Sequence, residues 1–162
     1  MTESAKSAME NLRVPHFSWN AIPLLAFVLL AYSNEVEHKK WSNILSGLAL
    51  LGVDIFVEIL NSLVLHWNQF APMWGTPATH NSSLIVMVGV NMEILCLFAV
   101  AGLVTAKVLP STVKYLKLGN MKLNVDGLIV VLLSSMHFCI EIFLNRIDAL
   151  TWDLWWWCAG YP

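Results

Sequence analysis

The residues able to do chemistry in this sequence lie where charge is least at home. Four carboxylates (Asp54, Glu58, Glu93 and Glu141) and one imidazole, His137, fall inside long apolar runs, with Asn61, Asn91 and Asn145 close by. Asp54, Glu58 and Asn61 follow one another at spacings of four and three, and His137, Glu141 and Asn145 at four and four. On a helix, each trio shares one face. An ionised side chain at the centre of a bilayer costs at least ~2.5–3.5 kcal/mol. These groups are therefore expected to be protonated, hydrogen-bonded to one another or neutralised by a cation.

Each of those outcomes implies a function. Carboxylates crowded in a low dielectric share protons, and an acid beside a base can act on a lipophilic substrate, as in isomerases, hydratases and terpene cyclases. On this leading reading Glu58, Glu93 and Glu141 are the principal catalytic acids, Asp54 and His137 are proton partners, and Asn61, Asn91 and Asn145 support them. A second form of the same reading is metal-assisted. Asp54, Glu58, Glu93, His137 and Glu141 would hold a divalent ion (zinc, iron or manganese), because helix-borne acids and His at three- and four-residue spacing build such centres. A proton- or divalent-cation-coupled transporter would use the acids to bind the coupling ion, and with so few helices it would work as an oligomer. The alternative without catalysis is a subunit of a larger membrane complex, its acids protonated and bonded to Asn as links between helices.

Such a site needs elements that bring distant residues to one depth. Apolar runs at about 19–33, 43–67, 82–107 and 124–146 predict four transmembrane helices, an all-α up-down bundle in one domain spanning residues 1–162. Pro72, Pro77 and Pro110 mark the connecting loops. At about 1.5 Å per residue, the acids of the second, third and fourth helices fall in one slab about 10 Å thick. Composition agrees, with 57% hydrophobic residues, 12% charged residues and eight Trp in 162 residues. Soluble domains carry about 25% charged residues. That balance excludes a disordered chain, a nucleic-acid binder and a disulfide-stapled module, and the bilayer becomes the first partner. Residues 1–18 lack the pattern of a removable signal peptide. The three cysteines show no paired spacing and read as buried thiols.

Loop charges set the expected orientation. Lys39, Lys40, Lys107, Lys114, Lys117 and Lys122 lie on one side, against Lys6, Arg13 and Arg146 on the other. The basic loops 34–42 and 108–123 are thus expected to be cytoplasmic, with both termini opposite. Trp19, Trp67, Trp74 and the Trp-rich tail at 147–162 would then form an aromatic belt at the outer interface. His16, His66 and His80 lie on that side too and are expected to pack there.

Two families are similar to parts of this pattern. The Asp-x-x-x-Glu of Asp54 and Glu58, facing the His-x-x-x-Glu of His137 and Glu141, resembles in spacing the intramembrane zinc site of cation-diffusion transporters. That family's six helices and cytosolic domain have no counterpart here. The stretch from Asn34 to Glu58 resembles the early helices of membrane-bound terpene cyclases, where a charged loop with an aromatic precedes a helix bearing a catalytic Glu. The resemblance places Glu58 in that role, after Lys39, Lys40 and Trp41.

Overall fold

A computed structural model describes residues 1–13, 18–19, 21–76, 84–109, 115–118, 121–146 and 150–156. In chain order the elements are α1 (Glu3–Arg13), α2 (Ala21–Glu37), α3 (Trp41–Asn68), β1 (Ile85–Met87), β2 (Val90–Asn91), α4 (Met92–Val108), β3 (Tyr115–Leu118), β4 (Met121–Asn124) and α5 (Val125–Arg146). The second and fourth expected helices correspond to α3 and α5, both long and apolar enough to cross a membrane. α2 and α4 have 17 residues each. At 1.5 Å per residue that is about 25 Å, somewhat less than the roughly 30 Å of a hydrocarbon core.

Helices α2, α3 and α4 pack on one another. Small residues permit the tightest crossing. A Cβ added at Gly102 would lie 2.6 Å from the Ser46 carbonyl oxygen and 2.9 Å from the Gly47 Cα, so α3 and α4 approach backbone to backbone. Between apolar helices in lipid there is little hydrophobic drive, and close packing of small residues holds the pair together. Tyr32 of α2 joins the crossing by donating its hydroxyl to the Ala99 carbonyl at 2.8 Å.

α5 stands apart. None of its 22 residues is buried, and its main packing relation is with β4, which runs directly into it. Its sequence lacks the Gly and Ala stripe that joins α3 to α4, so nothing lets a neighbouring backbone close on it. The described residues therefore form a three-helix cluster with α5 alongside, whereas the sequence leads one to expect a closed bundle of four.

Two stretches differ from expectation for local reasons. Among the described residues of the run at 82–107, helix begins at Met92. Before it, the β-branched residues Ile85, Val86, Val88 and Val90 favour strand, and β1 and β2 pair antiparallel around Val88 and Gly89. Asn91 then starts α4 by accepting the Ile94 N–H at 3.0 Å, a side-chain N-cap. The loop at 108–123 contains the β3–β4 hairpin, paired from Tyr115↔Asn124 to Leu118↔Met121.

One end of the cluster carries a cap. α1 is amphipathic, with Ala5, Ala8, Met9 and Leu12 at helical spacing forming a stripe against Leu65 and Val88. Its entry is tied down by the Thr2 N–H bond to the Phe70 carbonyl (2.8 Å) and by Thr2 and Ser4 hydroxyls on Asp153. Gly75 and Thr151 pair through two backbone bonds of 2.9 and 2.8 Å. Trp152 and Leu154 are buried beside that pairing, while Trp155 and Trp156 are exposed. The tail is thus part of the cap as well as a source of surface tryptophans. His16, His80 and Trp157 lie outside the described residues.

Candidate functional site

The cap closes over a polar knot in the C-terminal half of α3. Glu58 and Asn61, one turn apart, are both buried, and the incoming loop supplies their partners. Asn61 Oδ1 accepts the Met73 N–H at 2.8 Å and the Trp74 N–H at 3.4 Å. Its Nδ2 donates to the Trp74 carbonyl at 2.7 Å. A single Asn side chain thereby satisfies three backbone groups of a loop that has no regular structure of its own.

Glu58 is held by N–H donors. The Trp74 indole Nε1–H bonds to one carboxylate oxygen, Asn61 Nδ2 lies 3.4 Å from the other, and the Gly89 backbone N–H is also directed at the group. Gly89 is required here for space. A Cβ at that position would lie 2.5 Å from Asn61 Nδ2, 2.6 Å from Glu58 Oε2 and 2.7 Å from the Trp74 ring. The β1–β2 turn can rest on the carboxylate only because it carries no side chain. Gly89 was not singled out in the sequence, and Trp74 was expected at the interfacial belt rather than on a helix acid. Pairing a loop tryptophan and a turn glycine with a helix acid is a long-range event, and it leaves no local spacing to read.

The second grouping lies deeper and is open. Asp54 is at the middle of α3, and its Oδ2 is buried with no hydrogen-bond partner among the described residues. His137 of α5 is within electrostatic reach of it, as is Glu58 one turn along. His137 Nε2 and Glu141 Oε1 are 3.1 Å apart, with 42% and 37% of their side chains exposed. The edge of Phe98 from α4 meets the imidazole, ring centroids 5.4 Å apart at 68°. Three helices therefore contribute to this grouping although α5 packs loosely.

The remaining expected residues go elsewhere. Glu93 sits in the first turn of α4, where the helix dipole favours an acid, and not at mid-span as the longer expected helix implied. Asn91 is committed to the α4 cap. Asn145 donates to the Leu150 carbonyl at 3.2 Å and so serves the tail. Among the described residues, no group of three or more His, Cys, Asp or Glu comes together in a way that could hold a metal ion. The five-residue metal set, and the four-residue zinc pattern within it, are not assembled, because Glu58 turns to the cap and Glu93 to its own helix start.

A further polar centre at the opposite end was also missed. Glu35, in the last turn of α2 beyond the apolar run, is fully buried. It receives Lys107 of α4 at 2.5 Å, Asn43 of α3 at 2.7 Å and Asn34 at 3.2 Å. The hydrogen bond from Lys107, then that from Asn43, outweigh burial and hold the carboxyl at about 2, below its usual 4.5. One acid thus ties together the ends of three helices.

Comparison with known proteins places this architecture. Residues 2–162 match an uncharacterized membrane protein family. An uncharacterized protein of Archaeoglobus fulgidus is 34% identical over 162 residues, covering 99% of this chain and 74% of the relative. No solved structure matches the chain. With its apolar helices and a match over nearly its whole length, the chain belongs to this membrane protein family.

Proposed function

We propose that the protein carries out acid–base chemistry on a lipophilic molecule that approaches His137 and Glu141 from the bilayer side of α5. The observation that carries this reading is the pair's partial exposure within a membrane-length helix with no buried residue. An ionisable pair at that depth is costly when it faces only acyl chains. An opening toward lipid suits a substrate that arrives dissolved in the membrane. Nε2 of His137 engages Glu141, which leaves Nδ1 to take or give a proton. Glu141 contacts the imidazole and Asp54 lies within electrostatic reach of it. One proton delivered to a double bond and one removed from a neighbouring carbon balance an isomerisation without an oxidant or reductant. On this reading Glu58, with its N–H donors already in place, is a positioning residue that seats the cap. In this it differs from the catalytic Glu that the terpene-cyclase resemblance implied. The same reading puts the Lys-rich end in the cytoplasm and the cap on the opposite side.

The test is lipid analysis by mass spectrometry after incubating nanodiscs containing the protein with a membrane lipid extract in D2O. A lipid species that gains deuterium or isomerises with the wild type should be formed at least ~100-fold more slowly by His137→Ala and Glu141→Gln. If no lipid species changes with the wild type, the catalytic reading fails.

One observation favours a second reading. A helix with no buried residue is also what a subunit of a membrane complex, or a second copy of this chain, would cover. In that case His137 and Glu141 become interface residues. Crosslinking from Phe143→Cys in native membranes separates the two, because only the complex gives a discrete protein adduct.

A further inference from the structure

The β3–β4 hairpin has two different faces. Its register sets Leu116 opposite Leu123 and Lys117 opposite Lys122. Side chains directly opposite in an antiparallel pair lie on the same face, and neighbours along a strand on opposite faces. One face therefore presents Leu116 with Leu123, and the other presents Lys117 with Lys122, beside Tyr115 and Asn124. All six of these residues are exposed.

In water this is a poor arrangement. An isolated two-stranded hairpin is marginal at best, and like charges directly across a ladder destabilise it. No third strand is present among the described residues, and the hairpin's chief packing relation is with α5, which it runs into. That junction also fixes its place. β4 ends at Asn124 and the membrane-length helix begins at Val125, so the hairpin lies at headgroup depth. There each of its problems has an answer. The acyl boundary can receive Leu116 and Leu123, and negative phosphates can neutralise two lysines that otherwise repel.

We propose that the β3–β4 hairpin is a docking surface for anionic lipid, with Lys117 and Lys122 gripping headgroup phosphates while Leu116 and Leu123 enter the boundary between headgroups and acyl chains. The acid–base reading is not needed for this inference. The order of the hairpin depends on the charge of the leaflet it lies on.

Amide hydrogen exchange of residues 115–124, measured on the full chain in nanodiscs, tests it. Two lysines near an anionic surface are worth about 2 kcal/mol together, which at about 1.4 kcal/mol per tenfold is roughly 30-fold in protection. Wild type should show that gain in phosphatidylglycerol discs over phosphatidylcholine discs, and lose most of it in high salt. The double variant Lys117→Glu, Lys122→Glu keeps two like charges in opposition but reverses their sign, so its protection in phosphatidylglycerol should fall to the phosphatidylcholine level. Lys117→Glu alone creates an opposite-charge pair and should gain protection in neutral discs, confirming that the hairpin can form there. Equal protection of the wild type in both lipid compositions overturns the proposal and points to a protein occupant. So does a double variant that stays protected in phosphatidylglycerol. Exchange in α3 is the internal control for folding.

Discussion

Glu58 on α3 and Glu141 on α5 are both carboxylates on helices long and apolar enough to cross a membrane, yet their surroundings differ in almost every respect. Glu58 is buried beneath a cap and takes N–H donors from a tryptophan ring, an asparagine and a turn glycine. Among the described residues Glu141 pairs with His137, on a helix with no buried residue. The comparison shows that an acid on a long apolar helix is not a functional signal by residue type alone. What matters is whether the fold has already satisfied its oxygens. A carboxylate with its donors in place serves to hold structure, and one that still has an open side can meet a proton donor or a substrate.

The packed cluster of α2, α3 and α4 should be the easier region to break. Gly102→Val places a Cβ against the Ser46 carbonyl and the Gly47 Cα, and backbone atoms cannot move aside. The variant is expected to lose its monodisperse peak in size-exclusion chromatography, because overpacking costs at least ~1–3 kcal/mol even where side chains can yield. Glu58→Ala comes next. It leaves the Trp74 indole and the Gly89 amide without their acceptor, at ~1–3 kcal/mol for each buried donor. Thermal unfolding in one detergent should show a fall of many degrees, and Glu58→Gln, which keeps one acceptor oxygen, should lose less.

At the other end of the cluster the effect is tunable by pH. Glu35 sits near 2 when folded against an ordinary 4.5, so its contribution is complete above 4.5 and disappears as pH falls toward 2. Acid unfolding curves of wild type and Glu35→Gln should separate at neutral pH and converge over that window. If they run parallel through it, the Lys107 pairing contributes nothing to stability.

On α5 the same kinds of change should do little. A Cβ at Gly127 meets only the Asn124 Cβ, at 4.0 Å, so Gly127→Ala should be neutral or stabilise by up to about 1 kcal/mol through helix propensity. His137→Ala removes a half-exposed pair and should change unfolding by no more than ~0.5 kcal/mol, while abolishing any lipid conversion. A large stability loss from His137→Ala would erase the contrast between the two regions.

Much of this could be read in the sequence because it depends on local pattern. α3 and α5 came within two residues at each end, since a stretch of twenty or more predominantly apolar residues has few alternatives to a helix in lipid. Even two missed elements had legible signals. Ala5, Ala8, Met9 and Leu12 form a helical stripe, and Leu116-Lys117-Leu118 and Met121-Lys122-Leu123 alternate around Gly119-Asn120, a composition suited to a two-residue turn. The run from Ile85 to Val90 was apolar enough to pass for helix, and its β-branched residues and Gly89 argued otherwise.

By itself, then, the sequence determined that this is a membrane protein with carboxylates and an imidazole on its long apolar helices, because hydropathy and three- and four-residue spacings act within one segment. Only the tertiary structure decided which of those groups are already satisfied. Trp74 and Gly89 reach Glu58 from 16 and 31 positions away, and Lys107 reaches Glu35 from 72 away. A hydrogen-bond partner brought in by a loop or another helix has no fixed spacing, so the difference between a structural acid and an open one could not be seen before the chain was folded.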